Sequence, residues 1–242
     1  MDALVQGKTE MAKQQLCLPT EGGQSIFLLS ELEEDALKEF FNMGLGMAAA
    51  SLSEMVHNEV LLSLPQLRIA SYEEATRLLV SGQEERLVAI RQNFTGELSG
   101  TALLIFPGAG SLELVRTLLN EQMPLEVLME LEQETLLDVG NVVLNAFLES
   151  FTQMMSVQFE FEAAEFLRGS SQFLLDLESH LTAQRRALSG GDAERAFVLM
   201  MDFKTHDEER MQHTLSGFVV LLFSQASMEI LKRELKVIIG AF

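Results

Sequence analysis

Residues 35–55, DALKEFFNMGLGMAAASLSEM, contain the pattern from which the interpretation of the whole chain starts. Asp35, Glu39 and Asn42 are four and three residues apart, so on a helix they lie on one stripe. The opposite side of that helix has apolar side chains at helical spacing, namely Leu37, Phe41, Leu45, Ala48 and Leu52. A carboxylate and a carboxamide one turn apart on the exposed side of such a helix need an explanation.

The same acid-amide pattern occurs again in residues 134–151, ETLLDVGNVVLNAFLESF. Glu134, Asp138 and Asn141 repeat the spacing of four and three. The alternative for a single copy is an ordinary solvated helix face, and repetition weakens that alternative. A second repeat supports an internal duplication of the chain. Residues 98–106, LSGTALLIF, match residues 215–223, LSGFVVLLF, and a helical pattern follows each.

The patterning predicts an α/β (α+β) fold of two pseudo-symmetric halves, each with a long helix and three strands that share a continuous sheet. We expect residues 1–29 to form an N-terminal arm and residues 30–240 one domain, with repeats at about 30–122 and 126–240. Extra length around residues 168–192 belongs to the second half. The predicted helices are 32–55, 72–80, 111–119, 126–155, 170–188 and 228–239. Ser30 is the expected N-cap of the first helix, and the fourth helix begins at about residue 126 or 130. The predicted extended segments are 60–70, 86–95, 99–106, 157–165, 195–203 and 214–224. Pro65 interrupts the first of these segments, and a turn at Gly96 joins the second to the third.

Composition limits the classes of partner. The formal net charge of -19, from 36 acidic and 17 basic residues, disfavours nucleic acid and anionic lipid and favours partners that present Lys or Arg. The alternative is that this charge serves solubility alone. No segment has the length and apolarity of a membrane helix, and the first residues lack a signal-peptide pattern, so we expect a cytoplasmic protein without membrane insertion.

Metal and nucleophile chemistry have little support in the sequence. The single cysteine, Cys17, excludes an internal disulfide and a cysteine-cluster metal site. The four histidines, His57, His180, His206 and His213, have no metal-ligand spacing. Gly44 and Gly46 lack the Lys and Ser/Thr of a phosphate loop, and they predict close packing of the helix against a neighbour instead.

The acid-amide stripe suits chemistry by positioning. An Asn carboxamide has one acceptor and two donor positions, so it can orient a water molecule, although it cannot act as a base near neutral pH. A Glu one turn earlier can bind a Lys or Arg of a docked partner. Together they would orient reactants while the partner provides the electrophile, as water-positioning amides do in phosphoryl transfer.

The pattern Asp35-x3-Glu39-x2-Asn42-x22-Pro65 resembles the signature of the CheC, CheX and FliY family of chemotaxis phosphatases. Residues 44–49, GLGMAA, are especially similar to the CheC branch, and residues 140–148, GNVVLNAFL, resemble the second copy of the family motif. The resemblance covers roughly residues 30–235.

This resemblance implies hydrolysis of the aspartyl phosphate on a phosphorylated CheY-like response regulator. Carried over residue by residue, Asn42 would position the attacking water and Glu39 would bind a Lys of the regulator, with Asn141 and Asp138 as their counterparts in a second site. The supporting residues would be Asp35, Pro65 and Glu134. Magnesium would belong to the regulator, so no cofactor of this chain is implied. A CheD-like partner and a monomer or homodimer would be consistent with the family.

Two departures from the family pattern concern the second site. Asp138 is one methylene shorter than the usual Glu, and Ala164 stands where a Pro is expected, so we expect the second site to be weakened. The N-terminal arm and the 168–192 segment also depart from the pattern. The main alternative function is a non-catalytic receiver-domain-binding or flagellar-switch adaptor module, and a third is a structural dimer that presents acidic faces.

Overall fold

The computed structural model describes residues 29–57, 59–71, 74–75, 86–119, 123–155, 157–170, 195–207 and 210–240. Of the predicted helix at 170–188, only Ser170 is described, and it is not helical; nearly all of the predicted N-terminal arm lies outside the described residues. Of the predicted helix at 72–80, only Glu74 and Ala75 are described, and both are helical. The boundary between arm and domain therefore stays a prediction.

The described residues form four long helices and seven strands. In chain order these are α1 (Glu31–Val56), β1 (Val60–Ser71), β2 (Leu87–Gly96), β3 (Gly100–Pro107), α2 (Gly108–Leu118), α3 (Leu125–Met155), β4 (Phe159–Phe161), β5 (Glu165–Gly169), β6 (Arg195–Asp207), β7 (Arg210–Phe223) and α4 (Gln225–Gly240). The strands form one antiparallel sheet in the order β1-β6-β7-β3-β2-β4, and β5 also pairs with β2. This mixed architecture confirms the predicted fold class.

The strand order shows how the two halves share the sheet. The first strand of each half pairs with the second strand of the other half: β1 pairs with β6, while β4 and β5 pair with β2. The repeated segments, β3 and β7, pair with each other at the centre, with Gly100 opposite Phe223 and Ile105 opposite Phe218. The halves are therefore intertwined around an approximate two-fold axis, as the sequence repeats predicted.

Helix α1 begins where the sequence predicted. The Ser30 hydroxyl accepts a hydrogen bond from the Glu33 backbone N–H at 3.3 Å, and the Glu33 carboxylate accepts one from the Ser30 N–H at 2.7 Å, which together form a capping box. The predicted apolar side is buried throughout, at Leu37, Phe41, Leu45, Ala48 and Leu52. Burial of this side fixes which stripe of α1 remains exposed.

Glycines allow both long helices to approach their neighbours closely. A Cβ on Gly44 would lie 3.1 Å from the Phe147 Cα, so α1 meets the backbone of α3 there. A Cβ on Gly140 would lie 2.3 Å from the Ile90 Cγ2, so α3 meets β2 there. The prediction of close packing is confirmed for Gly44, whereas Gly46 faces open space and has no such requirement.

The prediction of one strand over residues 157–165 is wrong. Two short strands, β4 and β5, pair with β2 on either side of residues 162–164. The interruption coincides with side-chain contacts that hold the chain: Glu162 accepts a hydrogen bond from the Asn93 amide at 2.7 Å, and Glu165 pairs with the buried Arg91 guanidinium. Strands β6 and β7 also extend further towards their connection than the sequence indicated.

We predict opposite effects for alanine at two helical glycines. Gly46→Ala should raise the free energy of unfolding by up to about 1 kcal/mol, because alanine favours the helix and nothing obstructs its Cβ. Gly140→Ala should lower it by about 1–2 kcal/mol, because the branched Ile90 side chain must move away. Urea unfolding of the two variants measures both effects, and equal stabilisation by both would contradict the close contact between α3 and β2.

Candidate functional site

The exposed stripe of α1 presents the predicted acid and amide side by side. Asp35, Glu39 and Asn42 are all exposed, while their neighbours Phe40 and Phe41 are buried. Among the described residues, neither the Glu39 carboxylate nor the Asn42 amide has a side-chain hydrogen bond or ion pair within the chain. The polar groups of both side chains are therefore available to water or to a docked protein.

A lysine that the sequence analysis did not single out lies in the same stripe. The Lys38 ammonium lies 3.0 Å from a Glu34 carboxylate oxygen and 3.5 Å from one of Asp35. The hydrogen bond to Glu34 raises the pKa of Lys38 above its ordinary value of 10.5, and the charge of Asp35 adds to the effect while partial burial opposes it. Lys38 thus forms ion pairs with Glu34 and Asp35. Glu39 remains the unpaired carboxylate next to Asn42. The i, i+4 and i, i+3 spacings were the signal for this network.

Strand β1 follows α1 and is irregular at the predicted proline. Its pairing register with β6 shifts between Ser63 and Gln66, a segment that contains Pro65. A proline has no N–H to donate to a neighbouring strand, so a bulge at this position on an edge strand is expected. The structure thus places Pro65 in the strand that packs against α1.

The second stripe lines an open groove beside α3. Glu134 and Asp138 are exposed and Asn141 is partly buried. The groove has a volume of about 530 Å³, and its lining comprises Glu130, Gln133, Glu134, Leu137, Asp138, Asn141, Ala163 and Ala164. The interruption between β4 and β5 therefore brings Ala164 to the same groove as Asn141, so the second predicted site is assembled from α3 and this loop.

A buried carboxylate anchors the helix that forms one wall of this groove. Glu132 is 2% exposed, accepts a hydrogen bond from the Ser111 hydroxyl at 2.6 Å and pairs with the Arg168 guanidinium. This contact joins α3 to α2 and to β5. Sequence spacing alone did not predict this contact, although Glu132 falls in the apolar series that includes Leu128 and Leu136, and an acid in such a series needs a buried partner.

The described part of the chain contains no group of three or more His, Cys, Asp or Glu side chains arranged to hold a metal ion. None of its helices is long and apolar enough to span a membrane. The carboxylates and amides of the two stripes can form hydrogen bonds and ion pairs.

Comparisons with known proteins support the resemblance to the CheC, CheX and FliY family. The CheY-P phosphatase CheC of Bacillus subtilis is 22% identical over 133 residues, which are 54% of this chain and 63% of that protein, so the chain spans less than two thirds of this relative. Thermotoga maritima FliY superposes with a TM-score of 0.61 at 13% identity, over 87% of this chain and 99% of the other. FliM from a FliM–SpeE complex of H. pylori gives 0.55 at 11% identity, over 87% and 97%. No family model matches the chain. The fold is therefore that of FliY and FliM.

We predict that Glu34→Gln lowers the pKa of Lys38 towards its ordinary value, because the hydrogen bond to the carboxylate is its largest cause. A raised pKa in the folded state means that the pairing is complete at neutral pH and is lost only as the pH rises through the raised value. Titration of the lysine ¹³Cε signals by NMR measures the shift. Glu54→Gln, an exposed acid on the same helix, is the matched control and should leave the Lys38 pKa unchanged. An unchanged pKa in Glu34→Gln would contradict the pairing.

Proposed function

We propose that this chain is a phosphatase for a phosphorylated CheY-like receiver domain. The observation on which the proposal rests is the exposed pair of Glu39 and Asn42, one turn apart on α1 and without a partner among the described residues. The likeness to CheC supports the choice of substrate, and the -19 net charge favours a partner that presents Lys or Arg.

In the proposed mechanism Asn42 orients the attacking water and Glu39 binds a Lys of the receiver. The water oxygen forms a bond to phosphorus while the bond between phosphorus and the aspartyl oxygen breaks. The products are inorganic phosphate and the free aspartate of the receiver, and the proton of the water passes to phosphate or solvent. Asn42 need not accept that proton, because its contribution is orientation in the transition state. Any magnesium ion belongs to the receiver, and this chain supplies side chains alone.

The packing beneath Asn42 supports a positioning role. Phe41, the next residue, lies fully buried with ring centroids 5.8 Å from Phe147, 5.6 Å from Phe151 and 6.1 Å from Phe197. Gly44 lies against the backbone of α3 on the same side. A displacement of about 1 Å can cost roughly a hundredfold in rate, so a rigid helix face suits this mechanism.

The second site is proposed to contribute less. Asp138 and Asn141 lie on α3 with the same spacing, but the shorter Asp138 side chain holds its carboxylate one methylene closer to the helix. Ala164 in the same groove replaces the expected proline. Glu134, like Asp35 in the first site, is assigned a supporting role.

A non-catalytic adaptor is the second candidate function, and one observation favours it. Solved FliM domains share this fold, and one of them, at a TM-score of 0.54 and 11% identity, is described in a FliG–FliM complex. The fold therefore also occurs in proteins that assemble with other proteins. Phospho-dependent binding of a receiver without turnover would identify an adaptor. The CheD-like partner and the choice between monomer and homodimer stay predictions.

We predict that Asn42→Ala lowers the rate of receiver dephosphorylation by about 10²–10³-fold, by analogy with the loss of one amide donor to a transition-state oxyanion. Asn141→Ala should lower it only a few-fold. The measurement is the decay of phosphate on a cognate CheY-like receiver with catalytic amounts of each variant. Ser51→Ala, an exposed change on the same helix, is the control and should retain full activity. Full activity in Asn42→Ala would refute the assignment of the first site.

We predict a different kinetic change for the docking acid. Glu39→Gln should raise KM more than it lowers kcat, because the ion pair with the receiver forms on docking and persists into the transition state. Glu54→Gln removes the same charge from the far end of α1 and should change neither constant by more than about twofold. A fall in kcat alone would instead place Glu39 in the chemical step.

A further inference from the structure

Two parallel stripes extend along the exposed side of α3 towards the groove. The acidic stripe consists of Glu126, Glu130, Glu134 and Asp138, all exposed and each four residues from the next. The apolar stripe lies beside it and contains Leu125, Met129 and Leu137 at the same i, i+4 phase, with Gln133 between the last two. Leu125 and Met129 are 51% and 54% exposed, which is unusual for large apolar side chains on one helix face.

Among the described residues, no Lys or Arg forms an ion pair with the four carboxylates of the acidic stripe. Helix α3 has six acids and neither Lys nor Arg, and like charges at i, i+4 destabilise an isolated helix. In α1, Lys38 lies four residues before Asn42 and pairs with two acids of its own helix. The position four residues before Asn141 is Leu137, so α3 has an apolar side chain where α1 has the neutralising cation.

Residues 163–164 form the wall of the groove opposite these stripes. Ala163 and Ala164 face α3 across a volume of about 530 Å³, and their short side chains leave the groove open. Glu130, Glu134 and Asp138 line the groove together with Leu137. The groove therefore has a mixed lining, in which Leu137 and the two alanines are apolar and Glu130, Glu134 and Asp138 supply carboxylates. Leu125, Glu126 and Met129 extend the same two stripes along α3 beyond the groove.

We propose that this groove docks an amphipathic, cationic helix of a partner protein. A partner helix with Leu-type residues on one i, i+4 stripe and Lys or Arg on the adjacent stripe would match both stripes of α3. Residues 126–138 span about 18 Å, so about three turns of a partner helix would be engaged. The charge of the groove excludes anionic membranes and nucleic acid as occupants, since both would be repelled. Binding of this helix does not depend on phosphoryl chemistry at the first site.

The direct test uses the full chain and a fluorescein-labelled synthetic peptide of about 15 residues that has Leu and Lys on adjacent i, i+4 stripes. Fluorescence anisotropy gives the dissociation constant, which should rise steeply between about 50 and 500 mM NaCl. Replacing both Glu126 and Glu130 by Gln should weaken binding at least about fivefold. The matched control replaces Glu54 and Glu149, two exposed acids outside the acidic stripe, by Gln and should weaken binding less than about twofold.

A second pair of variants tests the comparison with α1. Leu137→Lys introduces the cation that α1 has at the equivalent position and should weaken binding about tenfold by repulsion. Val237→Lys, at an exposed position of α4, makes the same change in net charge and should have less than about a twofold effect. Circular dichroism confirms that each variant is folded. Equal weakening by groove and control variants, or no binding of the peptide by the wild-type chain, would overturn the proposal, whether or not the chain proves to be a phosphatase.

Discussion

The contact between the two long helices is the constraint on which the rest of the structure depends. Gly44 brings α1 against the backbone of α3 at Phe147, and Phe41 packs among the rings of Phe147, Phe151 and Phe197. Because the buried side of α1 faces this contact, its exposed side is fixed as well. Asn42 follows directly after Phe41, so the packing of the core determines that position 42 faces outward.

The intertwined halves explain why the chain has two similar sites that are free to differ. Each half contributes its first strand to the other half's side of the sheet, so the shared sheet constrains both halves. The exposed stripes lie outside that constraint. Among their differences, Lys38 corresponds in spacing to Leu137 and Glu39 to Asp138, and Pro65, in the strand after α1, has Ala164 as its counterpart in the second half. We infer from these differences that the first stripe suits positioning chemistry and the second suits docking.

Much of the fold followed from local patterns in the sequence. The 3.6-residue period placed both long helices within a few residues, and the capping signal at Ser30 located the start of α1. The period-2 alternation over 157–165 predicted one strand, which is wrong. The hydrogen bond from Asn93 to Glu162 and the ion pair of Arg91 with Glu165 hold this segment as two short strands. Glu132 and its partners Ser111 and Arg168 were also missed, since they are 21 and 36 residues apart in sequence and meet only after folding.

The sequence by itself determined which side chains share a helix face, because helical spacing is a local property of the chain. It thereby identified Glu39 with Asn42 and Asp138 with Asn141, and it predicted the two intertwined halves from the repeated segments. Only the tertiary structure decided what surrounds each stripe. The groove between α3 and residues 163–164 arises from the pairing of β4 and β5 with β2 of the other half, and spacing along the chain does not encode that long-range contact.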